Sequence, residues 1–411
     1  MATVSKMAWR SIWRNKRRTI ISLISIAFGL GLAIFFITFA NGAYYQVVRD
    51  AVKMQAGYIT IEHKGYLDAP AVDMFVSDPE SILEPVRQLN FIEDVKLIIV
   101  GGGVAKSGSG SVGVSFLGVE PSREVKTSPI AKKIVDGEFL SDEDENLIIV
   151  GAVLAKKLKL QIGKKLVLST NDINGELVEE LCRVKGIFKT GSDETDAQFV
   201  IVPIGFARKL TSMPKGAATQ IGLMLRNPDQ LKMAHESVSK LVANDQIEVL
   251  TWKEVMPDLA AYINMDRTSG YIFYVIIFAL VLFSIFNTIL MSVIERKHEF
   301  AIFLAIGTSP RQLEAQVVME SAYLGLLGSL LGLLIGYLIS HHFAVNGWDF
   351  SGMMGSEDIT VSGSAMSTII YNRITASVLI WCSLIVFVST VLLSFFPMRR
   401  ASNVPFSDVL R

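Results

Sequence analysis

The chain has 411 residues, with 39 basic and 39 acidic side chains and a 51% hydrophobic content. Zero net charge excludes the overall basic excess that holds nucleic acid. Two cysteines exclude a disulfide framework. The length leaves room for a membrane part plus one or two globular domains.

Residues 1–18 place Trp9 and Trp13 four apart, with Val4, Met7 and Ile12 nearby and Lys6, Arg10, Arg14, Lys16, Arg17 and Arg18 between and beyond them. This spacing predicts a short amphipathic helix lying on the inner leaflet and leading into a membrane span. Thr19–Val48 carries no charge, so a span is placed at 19–41. The run exceeds a signal-peptide core, which predicts an uncleaved anchor.

Residues 42–269 form a large polar segment. Ala43–Met54 and Trp252–Asp266 keep helical spacing, so both flanking spans are expected to continue outward as stalks able to carry displacement. Strands are expected at Tyr58–Glu62, Val95–Val100, Val112–Val119, Leu147–Val150, Lys165–Ser169, Val178–Val184, Gln198–Val202, Thr219–Leu225 and Ile247–Leu250. Helices are expected at Pro79–Leu89, Ala152–Leu158, Gly205–Leu210 and Pro228–Val242. Asn174-Gly175 marks a hairpin turn. The pattern is mixed α/β, with two subdomains, one inserted into the other. Gly101–Gly113 (GGGVAKSGSGSVG) lacks the glycine that a phosphate loop needs before Lys106, and reads as a flexible hairpin or lip.

Three more uncharged stretches follow: Gly270–Ile294, Ser321–Trp348 and Ile374–Met398. They place spans at 270–294, 314–345 and 374–398. Between them lie a link at 295–313 and a loop at 346–373, and a tail occupies 399–411. Basic residues gather before the first span, in the first link (Arg296, Lys297, Arg311) and in the tail (Arg399, Arg400, Arg411). The loop before the fourth span holds Arg373 against Asp349, Glu357 and Asp358. The positive-inside rule therefore sets both termini and the 295–313 link in the cytoplasm and residues 42–269 outside it. That outer segment holds 26 basic and 31 acidic residues, in agreement with this orientation.

The 295–313 link is the most specific region. A short helix is expected over Glu299–Ile306, stopped by Gly307. Ser309, Pro310 and Gln312 then form a capping box for the next helix. Phe300, Phe303 and Leu304 share a face, and that face is expected to meet a partner protein or the membrane surface. In span three Gly325 is followed by Gly328, Gly332 and Gly336, four apart, which invites close approach by another helix. Ser25, Gly29 and Ala33 repeat the idea in span one. Asn287 in span two is expected to make an interhelical hydrogen bond. No charged residue lies mid-membrane, which argues against an ion-coupled carrier. His63, His235, His298, His341 and His342 show no metal-ligand spacing. No catalytic constellation is present, so the chain is not expected to be an enzyme.

Several pieces of the chain resemble the permease family that includes MacB, LolC, LolE and FtsX, the type VII ABC transporters. Trp9–Arg18 resembles the family's start, and Val150–Lys164 a repeated signature of its periplasmic core. Glu295–Gly307 resembles its coupling helix, and the glycine ladder and the ending Pro397–Arg411 also match. The resemblance implies an α-helical membrane protein with four transmembrane helices plus a large mixed α/β periplasmic domain between helices 1 and 2. That domain would be a MacB-like porter with an inserted subdomain, in the bacterial inner membrane. It assigns ATPase docking to Glu295, Arg296, Glu299, Phe300, Phe303, Leu304 and Gly307, and helix packing to Gly29, Gly325, Gly328, Gly332 and Gly336. It implies a separate ATPase in two copies that carries ATP and Mg, with no cofactor or metal in this chain. A second permease chain would pair through spans one and two, as a homo- or heterodimer working by mechanotransmission. The domain's opening, Gly57–Tyr66, looks most like LolE-type permeases, which implies a lipoprotein substrate. The short Asn-Gly hairpin at Thr170–Glu179 departs from the long hook by which LolC recruits a periplasmic carrier. The alternatives are MacB-like export through an outer-membrane partner and FtsX-like signalling to a periplasmic hydrolase.

Overall fold

The computed structural model describes residues 2–14, 16–242, 244–350, 360–361, 364–365 and 368–402. The ending signature beyond residue 402, together with Glu357 and Asp358, lies outside the described residues. In chain order the first elements are α1 (Ala2–Arg14), α2 (Lys16–Met54), β1 (Ile59–His63), α3 (Pro79–Arg87), β2 (Ile92–Ser107), β3 (Gly110–Val119) and α4 (Pro121–Thr127). Next come β4 (Ile134–Gly137), β5 (Leu147–Gly151), α5 (Ala152–Lys157), β6 (Lys165–Asn171), β7 (Leu177–Phe188), α6 (Asp193–Gln198), β8 (Phe199–Pro203) and α7 (Ile204–Leu210). The rest are β9 (Gln220–Leu225), α8 (Leu231–Leu241), β10 (Ile247–Thr251), α9 (Trp252–Val255), α10 (Pro257–Glu295), α11 (Lys297–Ala305), α12 (Pro310–Asn346) and α13 (Ala376–Ser402).

The chain divides into two units: residues 1–45, 264–349 and 369–411, and residues 46–263 with 350–368. The first is helical. Parts of α2, α10, α12 and α13 are long and apolar enough to cross a membrane. Its core is a seam of Ile26, Leu30 and Ile34 from α2, Val281, Ile285 and Ile289 from α10, and Cys382 and Val386 from α13. Helix α1 buries Ala8 and Ile12, and Ser5 shares a 2.6 Å hydrogen bond with the Tyr323 hydroxyl on α12. Met7, Trp9 and Trp13 stay partly exposed, with the Trp9 ring edge-on to Tyr323. The glycines of α12 explain how closely the helices approach. A Cβ on Gly328 would lie 2.7 Å from Ile26, one on Gly332 2.9 Å from Leu30, and one on Gly336 2.9 Å from Ile34. Helix α2 therefore fits against the bare ridge of α12. Gly325 faces Thr390 of α13 instead, and Gly29 faces Val281 of α10.

In the second unit, β10-β1-β9 and the first half of β2 form an antiparallel sheet with α3 and α8. From Ile99 onward β2 changes partners, pairing with β3 and β6. The order β2-β3-β8-β5-β7-β6 then returns to β2, so the inserted strands close into a six-stranded barrel with β4 added on β7. Closure removes the exposed strand edges that an open sheet would carry. Ile99, Phe116, Ile148, Val150, Leu166, Leu168, Val184, Val200 and Val202 belong to the core of this part.

Two sequence expectations are corrected. Gly101–Gly113 is a hairpin, as expected, but its arms are paired strand of β2 and β3 around a turn at Gly108-Ser109 and not a flexible lip. A Cβ on Gly101 would lie 2.3 Å from the Phe116 ring, and one on Gly103 2.6 Å from the Ser169 carbonyl oxygen, so these glycines admit neighbours rather than mobility. Asn287 lies exposed on α10 and makes no interhelical bond among the described residues. The short elements α4, β4 and α6 have no counterpart in the sequence pattern. They are too brief to develop a period.

Candidate functional site

Helix α11 is a nine-residue element between α10 and α12. Its end follows from one residue. Gly307 has φ +95, the left-handed region that a side chain disfavours. Its N–H donates to the Leu304 carbonyl at 3.1 Å, and that of Thr308 donates to the Phe303 carbonyl at 2.9 Å. This pair of bonds is a Schellman termination. The next helix starts at once: Pro310 occupies its first turn, and the Ser309 N–H donates to Gln312 Oε1 at 3.2 Å.

The apolar face of α11 points inward. Phe300 is 1% exposed and packs with Val293, Leu313 and Val317, while Phe303, Leu304 and Met398 lie against the same cluster. This corrects, for Phe300, the expectation of a partner protein or the membrane surface; Phe303 and Leu304 are half-buried against the same cluster. The connections into and out of α11 are too short to hold it away from α10 and α12. Its outward face instead presents Lys297, His298, Ile302 and Ile306. Ile302 is 43% and Ile306 72% exposed.

Charged groups hold the helix in place. Arg296 is almost wholly buried and lies over the Phe300 ring, 5.0 Å from its centroid. Its Nη1 donates to both oxygens of Glu320 at 2.8 Å, and its Nε donates to Glu299 at 3.2 Å. Gln316 Nε2 donates to Glu320 as well, at 3.2 Å. From the start of the chain Arg14 reaches Glu299 at 2.6 Å, and Arg18 reaches Glu295 at 2.6 Å. Through Glu299 and Arg296 the first of these contacts ties α1 to α11 and α12, and the Arg18–Glu295 pair ties α2 to α10. Burial alone would lower the Arg296 pKa, but the facing Glu320 and Glu299 carboxylates outweigh it and hold the guanidinium above its ordinary value. Burial pulls the Glu299 carboxyl upward, but Arg14 and Arg296 reverse this and keep it below the usual range. Beside the network lies a cavity of about 40 Å³, bordered by Arg14, Arg18, Ser22, Ser292 and Glu320. That is room for a few waters and no more.

Of the residues named from sequence, Glu295, Arg296, Glu299, Phe300, Phe303, Leu304 and Gly307 are brought together at α11. The five glycines lie at helix crossings along the bundle. Sequence reasoning missed Arg14, Arg18, Gln316 and Glu320. The i,i+4 spacing of Gln316 with Glu320 was the one available signal. Among the described residues no group of three His, Cys, Asp or Glu side chains is placed to share a metal ion.

Two family patterns match the chain. Residues 19–241 match the MacB-like periplasmic core domain, and residues 271–406 match the FtsX-like permease C-terminal region. The lipoprotein-releasing system transmembrane protein LolC of Neisseria meningitidis serogroup B is 24% identical over 78% of this chain and 76% of its own length. The corresponding LolE of Haemophilus influenzae is 21% identical, over 83% of each. The pyoverdine export ATP-binding/permease protein PvdT of Pseudomonas syringae pv. syringae is 23% identical over 80% of this chain and 50% of that protein.

Proposed function

Because this chain belongs to the family of permeases that join a MacB-like periplasmic core domain to an FtsX-like C-terminal region, we propose that it is the membrane subunit of a type VII ABC transporter, driven by a separate ATPase. The observation that carries this reading is α11. It is a short helix, locked from within by Phe300 and Arg296, that offers Ile302 and Ile306 outward on the same side of the bundle as the basic start of α2. By the positive-inside rule that side is cytoplasmic, where ATP is available. Two ATPase copies bind there and carry the nucleotide and Mg. Two permease chains pair through α2 and α10, with the α/β unit in the periplasm, and ATP-driven closure is transmitted along the helices.

The cargo in this reading is lipoprotein taken from the inner membrane, supported by the similarity to proteins named LolC and LolE. Depletion of the chain is expected to leave triacylated lipoproteins in the inner membrane. Normal delivery to the outer membrane would overturn the cargo reading. A second reading is export of a periplasmic peptide or small molecule, and the β6–β7 hairpin favours it. There Asp172 Oδ1 accepts from the N–H groups of Asn174 and Glu176, closing a tight turn in place of a long carrier hook.

A further inference from the structure

Within the α/β unit, the last turn of α2 meets the sheet at one buried cation. Lys96 on β2 and Glu124 on α4 form an ion pair of 3.0 Å with side chains only 3% and 8% exposed. The same Lys96 Nζ donates to the carbonyl of Lys53 at 2.8 Å. Lys53 is the penultimate residue of α2, where helix carbonyls have no partner of their own and the dipole favours a cation.

The surroundings make this contact specific. Lys96 stands directly opposite Gly222 in the β2–β9 register. A Cβ on Gly222 would lie 2.4 Å from the Ala56 carbonyl oxygen, so its bareness lets the turn after α2 rest on the sheet. Beyond that turn the Tyr58 N–H donates to Leu223, and the Tyr58 carbonyl accepts from Trp252, which opens α9 just before α10. Glu124 belongs to α4, which leaves the barrel after β3 and is tied back to β2 through Arg123 and the Val95 carbonyl. One ammonium thus holds three parts: the end of a membrane helix, the strand shared by both sheets, and a helix of the inserted part.

We infer that Lys96 is a positioning residue, a joint that fixes the end of α2 to both sheets of the α/β unit so that helix displacement is delivered to the inserted barrel. The delivery half rests on the transport reading above; the joint itself does not. A plain ion pair would leave helix end and α4 as related after apolar replacement as before, because buried pairs often give way to well-packed apolar side chains without loss of stability. A joint acting through the Lys53 carbonyl would not.

The test uses the full chain in nanodiscs, with Cys182 and Cys382 replaced by Ala and spin labels at Gln55→Cys and Lys126→Cys. The Lys96→Met/Glu124→Met double variant is expected to keep the melting temperature of the unsubstituted chain while its label-to-label distance distribution at least doubles in width. Lys96→Arg, which still donates to both partners, is expected to keep it narrow. An unchanged width in the double variant would overturn the joint. With the ATPase bound and a fluorescent triacylated lipoprotein as probe, the double variant is expected to hydrolyse ATP within twofold of the unsubstituted complex while releasing cargo at least tenfold more slowly. Hydrolysis and release falling together would reduce Lys96 to a structural role and overturn the delivery. If the unsubstituted complex released no lipoprotein, the cargo reading would fail, and the label widths would still decide the joint.

Discussion

The Nη1 of Arg296 donates to both carboxylate oxygens of Glu320 at 2.8 Å, with side chains 8% and 12% exposed. Arg296 sits at the junction of α10 and α11 and Glu320 on α12, so the pair ties that junction to α12. Removing one partner leaves a buried charge with no counter-ion. Arg296→Met is expected to cost about 3–5 kcal/mol of stability, read as a fall in melting temperature in detergent. Lys at this position carries one nitrogen in place of the Nη1 and Nε that meet Glu320 and Glu299 together, and is expected to recover only part of it.

The two faces of α11 predict opposite phenotypes. Phe300→Ala removes a fully buried ring and is expected to destabilise the bundle by about 3–5 kcal/mol. Ile302→Asp and Ile306→Asp change only exposed positions. They are expected to leave the melting temperature within a degree or two and to abolish co-purification with the ATPase. Retention of a fully stimulated ATPase by the Ile302→Asp/Ile306→Asp double variant would remove the docking assignment.

At the crossing of α2 and α12, Gly332→Val has nowhere to put its side chain: Leu30 Cβ lies 2.9 Å and the Ala27 carbonyl oxygen 3.0 Å from the position a Cβ would take. Overpacking of this kind costs about 1–3 kcal/mol. A lower melting temperature is expected, together with faster cross-linking of cysteines placed on lipid-facing positions of α2. A neutral Gly332→Val would mean that the helices separate freely.

Glu62 offers a pH signature in the α/β unit. It is fully buried on β1, accepts from Gln220 Nε2 at 2.6 Å, and leaves Oε1 without a partner. Burial raises its pKa to about 7; the Gln220 bond opposes this and neighbouring Glu248 adds to it. The folded state therefore holds a proton that the unfolded chain releases near its ordinary value. The resulting stability is complete below that ordinary value and lost as pH rises through about 7. Glu62→Gln is expected to flatten the dependence of the melting temperature on pH between about 4.5 and 7, with the wild-type chain losing stability toward the upper end.

Much of this organisation was legible because its signals are local and periodic. Uncharged runs marked the spans, and Gly307 with Ser309, Pro310 and Gln312 marked both ends of the turn after α11. Nine strands were expected close to where nine of the observed strands lie, since alternation over five or more residues is hard to mistake. The barrel's closure was not legible, because it depends on β6 finding β2 from some sixty residues away. The orientation of Phe300 was hidden for a related reason: periodicity says which residues share a face, not what covers it. Arg296 with Glu320 and Lys96 with Glu124 are pairs made across separate elements; Arg296 reads from sequence as a docking residue, and the other three as ordinary surface charges.

In the proposed function, α11 receives an ATP-hydrolysing subunit on its outward face. Photo-cross-linkers placed singly at Ile306 and at Phe300, in the chain purified with its partners in mild detergent, test it most directly. A cross-link is expected from Ile306 to a subunit that hydrolyses ATP in the same preparation, with only intrachain products from Phe300. No such subunit captured at Ile306, or equal capture from Phe300, would contradict it.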